Sequence, residues 1–469
     1  MQHQLKRQLG LKTATAVVVG EVIAVGIFLT PAGMAKSLGS PLWLLAVWLV
    51  AGAMALCGAL AYGELAARFP EAGGGYVYLR EAYGRPVAFL YGWMAFLVMD
   101  PGITAALAVG LASYAGYLLS LSPTGAKAVA VGAVVALAAV NIAGVRAGAW
   151  LLRWLTAVKL GLLAALLAWG FASGLGEWSN FAPFAAQRAG SAPLLGALAG
   201  AFVAAFFSFG GWWDLSKLAG EVREPARNLP RALALGVVVV TLVYILTSAV
   251  FVYLVPMRAV TSGETFAAQV GERLFGDFGG RAFSLVVVVA VLGSLASVTM
   301  SAPRVYYAMA RDRLFFQSAA RLHPRTGTPA FAIALQAALA AALVATIGSF
   351  DRIVAYFIFV VVVFLALTVA AVYVFRRRGG PSPGYLTPGY PFTPLVFLAL
   401  VALLLVLLGG GRPREAALGV AVVAAGLPVY FLIFRRQALT STDEEEQEPH
   451  DVDQDRPAGG GGREAAEGA

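Results

Sequence analysis

Cysteine is almost absent: Cys57 is the only one in 469 residues. That excludes an intrachain disulfide and a thiolate metal cluster. Histidine is nearly as scarce, and His3, His323 and His450 all fall outside the apolar stretches. No metal-ligand spacing and no Ser/His/Asp set appears within those stretches. A membrane-embedded enzyme is therefore not expected, and neither is a cofactor. Charge is also short, with Asp, Glu, Lys and Arg making up 13% of residues against roughly a quarter in soluble domains. One look-alike is set aside. Ala72-Gly73-Gly74-Gly75-Tyr76 resembles a phosphate-cradling loop but lacks the Lys-Ser/Thr that follows in a P-loop.

What is abundant is apolar sequence, 59% of the chain. A helix that crosses a bilayer needs roughly 20 mainly apolar residues. Twelve stretches qualify, at about 13–34, 41–66, 85–119, 126–144, 147–172, 194–217, 232–255, 281–308, 329–348, 351–375, 392–409 and 414–434. The first is too long for a signal-peptide core and runs on into further spans. The chain reads as an all-α integral membrane protein of twelve transmembrane helices.

The net charge of +9 does not point to nucleic acid, because of where the charges fall. Lys6, Arg7, Lys12, Arg146, Lys217, Arg223, Arg304, Arg311 and the run Arg376-Arg377-Arg378 lie on one side of the twelve-span arrangement. Fewer lie on the other, among them Lys36, Lys127, Arg188 and Arg273. The positive-inside rule puts both termini in the cytoplasm and Arg376–Arg378 at a helix end as an anchor. The domain reading follows. Residues 1–12 are a cytoplasmic N-terminus. Residues 13–375 are a ten-helix core with halves at 13–172 and 194–375. Residues 376–436 carry helices eleven and twelve. Residues 437–469 are acidic, then Gly-rich, and are expected to be disordered.

Two stretches are interrupted in the same way, and each opens a half of five spans. One is Gly20-Glu21-Val22-Ile23-Ala24-Val25-Gly26-Ile27-Phe28. The other is Phe206-Phe207-Ser208-Phe209-Gly210-Gly211-Trp212-Trp213. Unwinding in lipid frees amides and carbonyls that survive only where they line a cavity or meet a ligand. Five spans per half forces opposite orientation, so paired breaks point to a substrate site between inverted repeats. Freed amides near Ile23, Ala24, Val25 and Gly26 suit a carboxylate. Freed carbonyls at Phe207, Ser208, Phe209 and Gly210 suit an ammonium. Together they fit an α-amino acid zwitterion, with the aromatics as an apolar wall or, at Phe207, a gate. Packing glycines are the plain alternative for each break taken alone.

Glu21, Asp100 and Lys159 lie well inside spans, where an ionisable group is costly and marks function. Lys159 is too central in the fifth span to snorkel and suits the place of a coupling cation. Asp100 either carries a proton, pairs with a cation, or repairs the helix defect made by Pro101. Glu21, one turn before the first break, is a proton site or a cation-binding carboxylate.

These residues resemble the amino acid–polyamine–organocation (APC) superfamily, and within it bacterial permeases similar to the L-type amino-acid transporters. The resemblance rests on Gly20…Gly26-Ile27-Phe28…Pro31, on Tyr62-Gly63-Glu64-Leu65…Pro70-Glu71-Ala72-Gly73-Gly74-Gly75-Tyr76, and on Asn141…Gly144-Val145 and Lys159. It continues through Phe207-Ser208-Phe209-Gly210-Gly211-Trp212, Glu221…Glu224-Pro225-Ala226-Arg227-Asn228-Leu229-Pro230 and Arg304…Tyr307-Ala308-Met309-Ala310-Arg311-Asp312. It covers spans one to eight.

The resemblance implies a LeuT-type 5+5 inverted repeat with helices one and six broken, working by alternating access. It implies a substrate carboxylate at Val25 and Gly26, an amine at the carbonyls of Ile23, Phe207, Ser208 and Gly210, and Phe207 as aromatic gate. It implies that Lys159 ties span one to span eight in place of sodium, with exchange and proton symport both open. The usual Gly-Ser-Gly of span one is Ala24-Val25-Gly26 here, which removes a hydroxyl and adds bulk, favouring a small substrate.

The expected partners are an amino-acid substrate, the lipid bilayer and, under symport, protons. Nucleic acid is not expected. Heteromeric L-type relatives use a cysteine to link an accessory chain, and Cys57 lies in span two, so no covalent accessory subunit is expected. The reading is a plasma-membrane transporter of neutral L-α-amino acids. Its rivals are a polyamine or cationic amino-acid permease anchored by Glu21 and Asp100, and a non-transporting membrane sensor signalling through its tail.

Overall fold

The structure is a computed structural model that describes residues 5–24, 26–260, 265–346, 350–411 and 413–434. Val25 and the acidic tail lie outside the described residues. In chain order the helices are α1 (Leu11–Val22), α2 (Gly26–Leu38), α3 (Pro41–Arg68), α4 (Gly75–Tyr83), α5 (Arg85–Met94), α6 (Asp100–Leu119), α7 (Pro123–Ala143), α8 (Val145–Ala172) and α9 (Leu194–Ser208). Then come α10 (Pro225–Leu254), α11 (Thr265–Phe275), α12 (Gly279–Ser301), α13 (Pro303–Arg311), α14 (Ala330–Thr346), α15 (Phe350–Arg378), α16 (Phe392–Gly411), α17 (Pro413–Ala424) and α18 (Gly426–Val429). A 3-10 segment, Trp212–Glu221, follows α9, and a π-helical turn, Ala95–Met99, joins α5 to α6. No strand occurs among the described residues; one isolated parallel bridge links Leu9 to Val222.

Among the described residues ten helices are long and apolar enough to cross a membrane. The stretch at 13–34 is not among them, because it is split into α1 and α2, of 12 and 13 residues. The stretch at 329–348 forms α14, an apolar helix of 17 residues. Proline marks several starts: α3, α7 and α10 each begin on one, where its missing N–H would have had no helical partner.

The packing converges on the two interruptions. α10 lies along α3 and α1; α12 packs against α6, α8 and α1; α2 packs against α9. The helix ends freed by each interruption are thus enclosed by α6, α8, α10 and α12 instead of facing lipid. Outward positions such as Leu242 on α10 and Leu403 on α16 stay exposed, as apolar side chains in contact with acyl chains can.

Candidate functional site

The first interruption begins where α1 ends. Ile23 has φ −73° and ψ 88°, outside the helical well. The second begins after Ser208, and Gly211 carries φ 103°, a left-handed conformation that glycine adopts without the Cβ penalty. The two interruptions touch. A Cβ on Gly26 would lie 2.7 Å from the Ser208 hydroxyl and 2.9 Å from the Ser208 Cα. A Cβ on Gly211 would lie 2.7 Å from Cγ of Glu21. Glycine at Gly26 lets the first interruption reach the Ser208 backbone, and glycine at Gly211 leaves room for the Glu21 side chain.

The freed carbonyls of α1 are satisfied by side chains from three other helices. Lys159 on α8 donates to the Gly20 carbonyl at 2.9 Å, to the Ile23 carbonyl, and to the Ser294 hydroxyl at 3.1 Å. Ser294 on α12 lies 2.7 Å from the Gly20 carbonyl and 3.0 Å from that of Ile23. Three N–H donors meet three acceptors, so a fully buried ammonium is completely hydrogen-bonded. Tyr244 on α10 supplies the remaining link. Its buried hydroxyl is 2.8 Å from the Val22 carbonyl and 2.7 Å from the Ser208 carbonyl, so one phenol proton serves both interruptions.

Between them lies a cavity of ≈ 70 Å³. Glu21, Ala24, Gly26, Phe207, Ser208 and Gly210 line it, all expected from the sequence. Ile23 and Phe209 do not. The Ile23 carbonyl is taken up by Lys159 and Ser294, and Phe209 turns away to pack on Trp48 and Tyr244. Lys159 and Asp100 also stand behind the wall. The rest of the lining comes from Ile103, Ala106 and Leu107 on α6, Trp213, Val298 on α12, and Ile358 and Val361 on α15. The walls are mainly apolar, with polar atoms concentrated at the broken backbones.

The charges behind the wall form a cluster. Lys217 bonds Oδ1 of Asp100 at 2.8 Å and sits 2.9 Å from Oδ1 of Asp214. Tyr306 donates to the other Asp100 oxygen at 3.1 Å. All are buried. Of the alternatives for Asp100, the structure has it paired with a cation. Two of the charges counted toward the cytoplasmic side are buried in ion pairs: Lys217 against Asp100, and Arg304 against Glu221 at 2.7 Å. Tyr244, Asp214 and Ser294 had no place in the sequence reading. An Asp and a Lys three residues apart, just past the second interruption, were the one available signal for Asp214. Among the described residues no group of His, Cys, Asp and Glu has the arrangement to hold a metal ion.

A family model described as "Amino acid permease" matches residues 9–433. The chain is 31% identical over 438 residues to the "Serine/threonine exchanger SteT" of Bacillus subtilis, covering 92% of this chain and 98% of that one. It is 30% identical to the human "Large neutral amino acids transporter small subunit 2", covering 91% of this chain and 80% of the relative. It is 28% identical to the mouse "Asc-type amino acid transporter 1", covering 91% and 81%.

Proposed function

The chain belongs to the amino acid permease family of the APC superfamily, and from that membership we propose that it is a sodium-independent secondary transporter of small neutral L-α-amino acids. Amino-acid transport is common to its family and named relatives. The observation that carries the reading is the meeting of two broken helices, Gly26 against Ser208, on one small cavity.

In this reading the chain crosses the plasma membrane twelve times with both termini in the cytoplasm. α1 and α2 form the first span, and α9 with the 3-10 segment forms the sixth. Residues 13–172 and 194–375 are the inverted halves of a 5+5 core that alternates access. The substrate carboxylate meets the amides of Val25 and Gly26. Its ammonium meets the carbonyls of Phe207, Ser208 and Gly210, which keep acceptor capacity. The Ile23 carbonyl accepts from Lys159 and shares the Ser294 hydroxyl with Gly20, and it anchors the junction instead. Phe207 gates the cavity. Lys159, holding span one against α12, fills a cation's place, which supports transport without sodium.

Size supports a small substrate. A single water needs roughly 10–15 Å³ by the same kind of volume, so ≈ 70 Å³ holds only a handful of non-hydrogen atoms. Serine and threonine, named for the Bacillus relative, are of that order. The human relative's name calls it a subunit. Cys57 lies within α3, so a companion chain held without a disulfide is compatible with this reading.

The test is exchange into proteoliposomes loaded with unlabelled serine, in sodium-free medium, with competitors outside. Labelled serine is expected to enter, and alanine, serine and threonine to compete. Competition by lysine and ornithine alone would replace this reading with a cationic one, in which Glu21 on the cavity wall is the anchor. Binding without flux would make the protein a sensor.

A further inference from the structure

Five carboxyl side chains are buried among the described residues: Glu21, Glu64, Asp100, Asp214 and Glu221. Three are answered by cations or donors of their own. Glu64 takes Arg376 and Thr387, Glu221 takes Arg304, and Asp100 takes Lys217 and Tyr306. Among the described residues Glu21 has no cation of its own, and Asp214 shares Lys217 with Asp100, at 2.9 Å. The Glu21 and Asp214 carboxyl groups are near enough to act on each other. One Glu21 oxygen accepts from Ser297 at 2.9 Å. The other, Oε1, is buried with no donor, as is Oδ2 of Asp214. Two neighbouring carboxylates, each with an orphaned oxygen, repel; one proton between them turns the repulsion into attraction and gives an orphaned oxygen a donor.

Charge counting gives the same number. Three carboxyls, Glu21, Asp214 and Asp100, share this buried region with two lysines, Lys217 held between Asp100 and Asp214 and Lys159 with all three N–H groups of its ammonium engaged. One added proton makes the set neutral. The other titratable groups facing it are the phenols Tyr62, Tyr91 and Tyr306, which are uncharged at neutral pH. Glu21 also lines the cavity, so the pair has a route by which a proton can come and go.

We propose that Glu21 and Asp214 form a proton-binding site that holds one shared proton at the cavity wall. Release gives two carboxylates and one proton passed to water in the cavity. This deepens the transport reading and rests on it for its consequence, which is that the protonated pair is the form that carries substrate. Exchange then falls about tenfold per pH unit once the shared proton is lost, the slope for one proton. In Glu21→Gln, uncharged at every pH, whatever exchange remains is expected to lose that fall with pH.

The site itself is tested without transport, by infrared spectroscopy of the full chain reconstituted in lipid. A protonated-carboxyl C=O stretch is expected at neutral pH, shifted in heavy water and lost at high pH. It is expected to be absent from both Glu21→Gln and Asp214→Asn. No such band in the wild type, or a band that survives both substitutions, overturns the site. The wild-type titration decides even where a variant fails to fold. A band without flux of any amino acid would sink the transport reading and leave the proton site standing. Flux without a band would do the reverse.

Discussion

At the scale of single residues, two side chains hold the broken backbone together, and each makes a distinct prediction. Lys159 brings three donors to acceptors on α1 and α12. Lys159→Met removes them and leaves the Gly20 and Ile23 carbonyls to Ser294 alone. Hydrogen bonds to charged groups are each worth about 1.5–3 kcal/mol, so exchange should fall at least about tenfold, read in proteoliposomes carrying equal amounts of protein. Tyr244 joins the Val22 and Ser208 carbonyls through one hydroxyl. Tyr244→Phe leaves both buried with one partner fewer, a cost of about 1–3 kcal/mol. A lower midpoint of thermal unfolding in detergent is the expected result, and an unchanged midpoint would mean that the hydroxyl is not needed there. Tyr244 could not be singled out beforehand, because a tyrosine in an apolar span carries no mark of what its hydroxyl reaches.

At the scale of elements, the decisive pieces are the two interruptions. Gly26→Ala puts a Cβ 2.9 Å from the Ser208 backbone, which cannot swing aside as a flexible side chain does. Uptake is expected to collapse while the variant still folds and extracts as wild type, checked by size-exclusion chromatography beside the flux assay. Both interruptions were legible in the sequence because they recur at matching places in the two halves, which packing glycines taken singly would not require. The cavity lining at Ala24, Gly26, Phe207, Ser208 and Gly210 followed from them. The walls given by α6 and α15 did not, because which apolar face turns inward depends on packing that no local pattern records. The 3-10 segment explains the missed charges. Counted on an α-helical period, Asp214 and Lys217 fall in the last turn of the 194–217 stretch and read as polar end residues. In a 3-10 helix residues three apart eclipse, and both turn together toward Asp100 and Glu21.

At the scale of the whole molecule, buried ion pairs tie distant parts of the chain. Arg304 on α13 meets Glu221 at the end of the 3-10 segment. The segment before α1 lies against the same end, with Leu9 N bonded to the Glu221 carbonyl at 2.9 Å. Removing one partner of a buried pair costs about 3–5 kcal/mol, because the other charge stays buried alone. Glu221→Gln should therefore lower thermal stability more than Arg227→Gln, whose ion pair with Glu224 is exposed; equal losses would contradict the structural weight given to the buried pair. The account as a whole stands on one claim, that the meeting of the two broken helices is the place where a neutral amino acid crosses. The most direct test is uptake of labelled serine into sodium-free proteoliposomes by the wild type and by Gly26→Val at matched folded protein. The account predicts sodium-independent uptake that the substitution abolishes. An absolute need for sodium, or wild-type uptake by Gly26→Val, would contradict it.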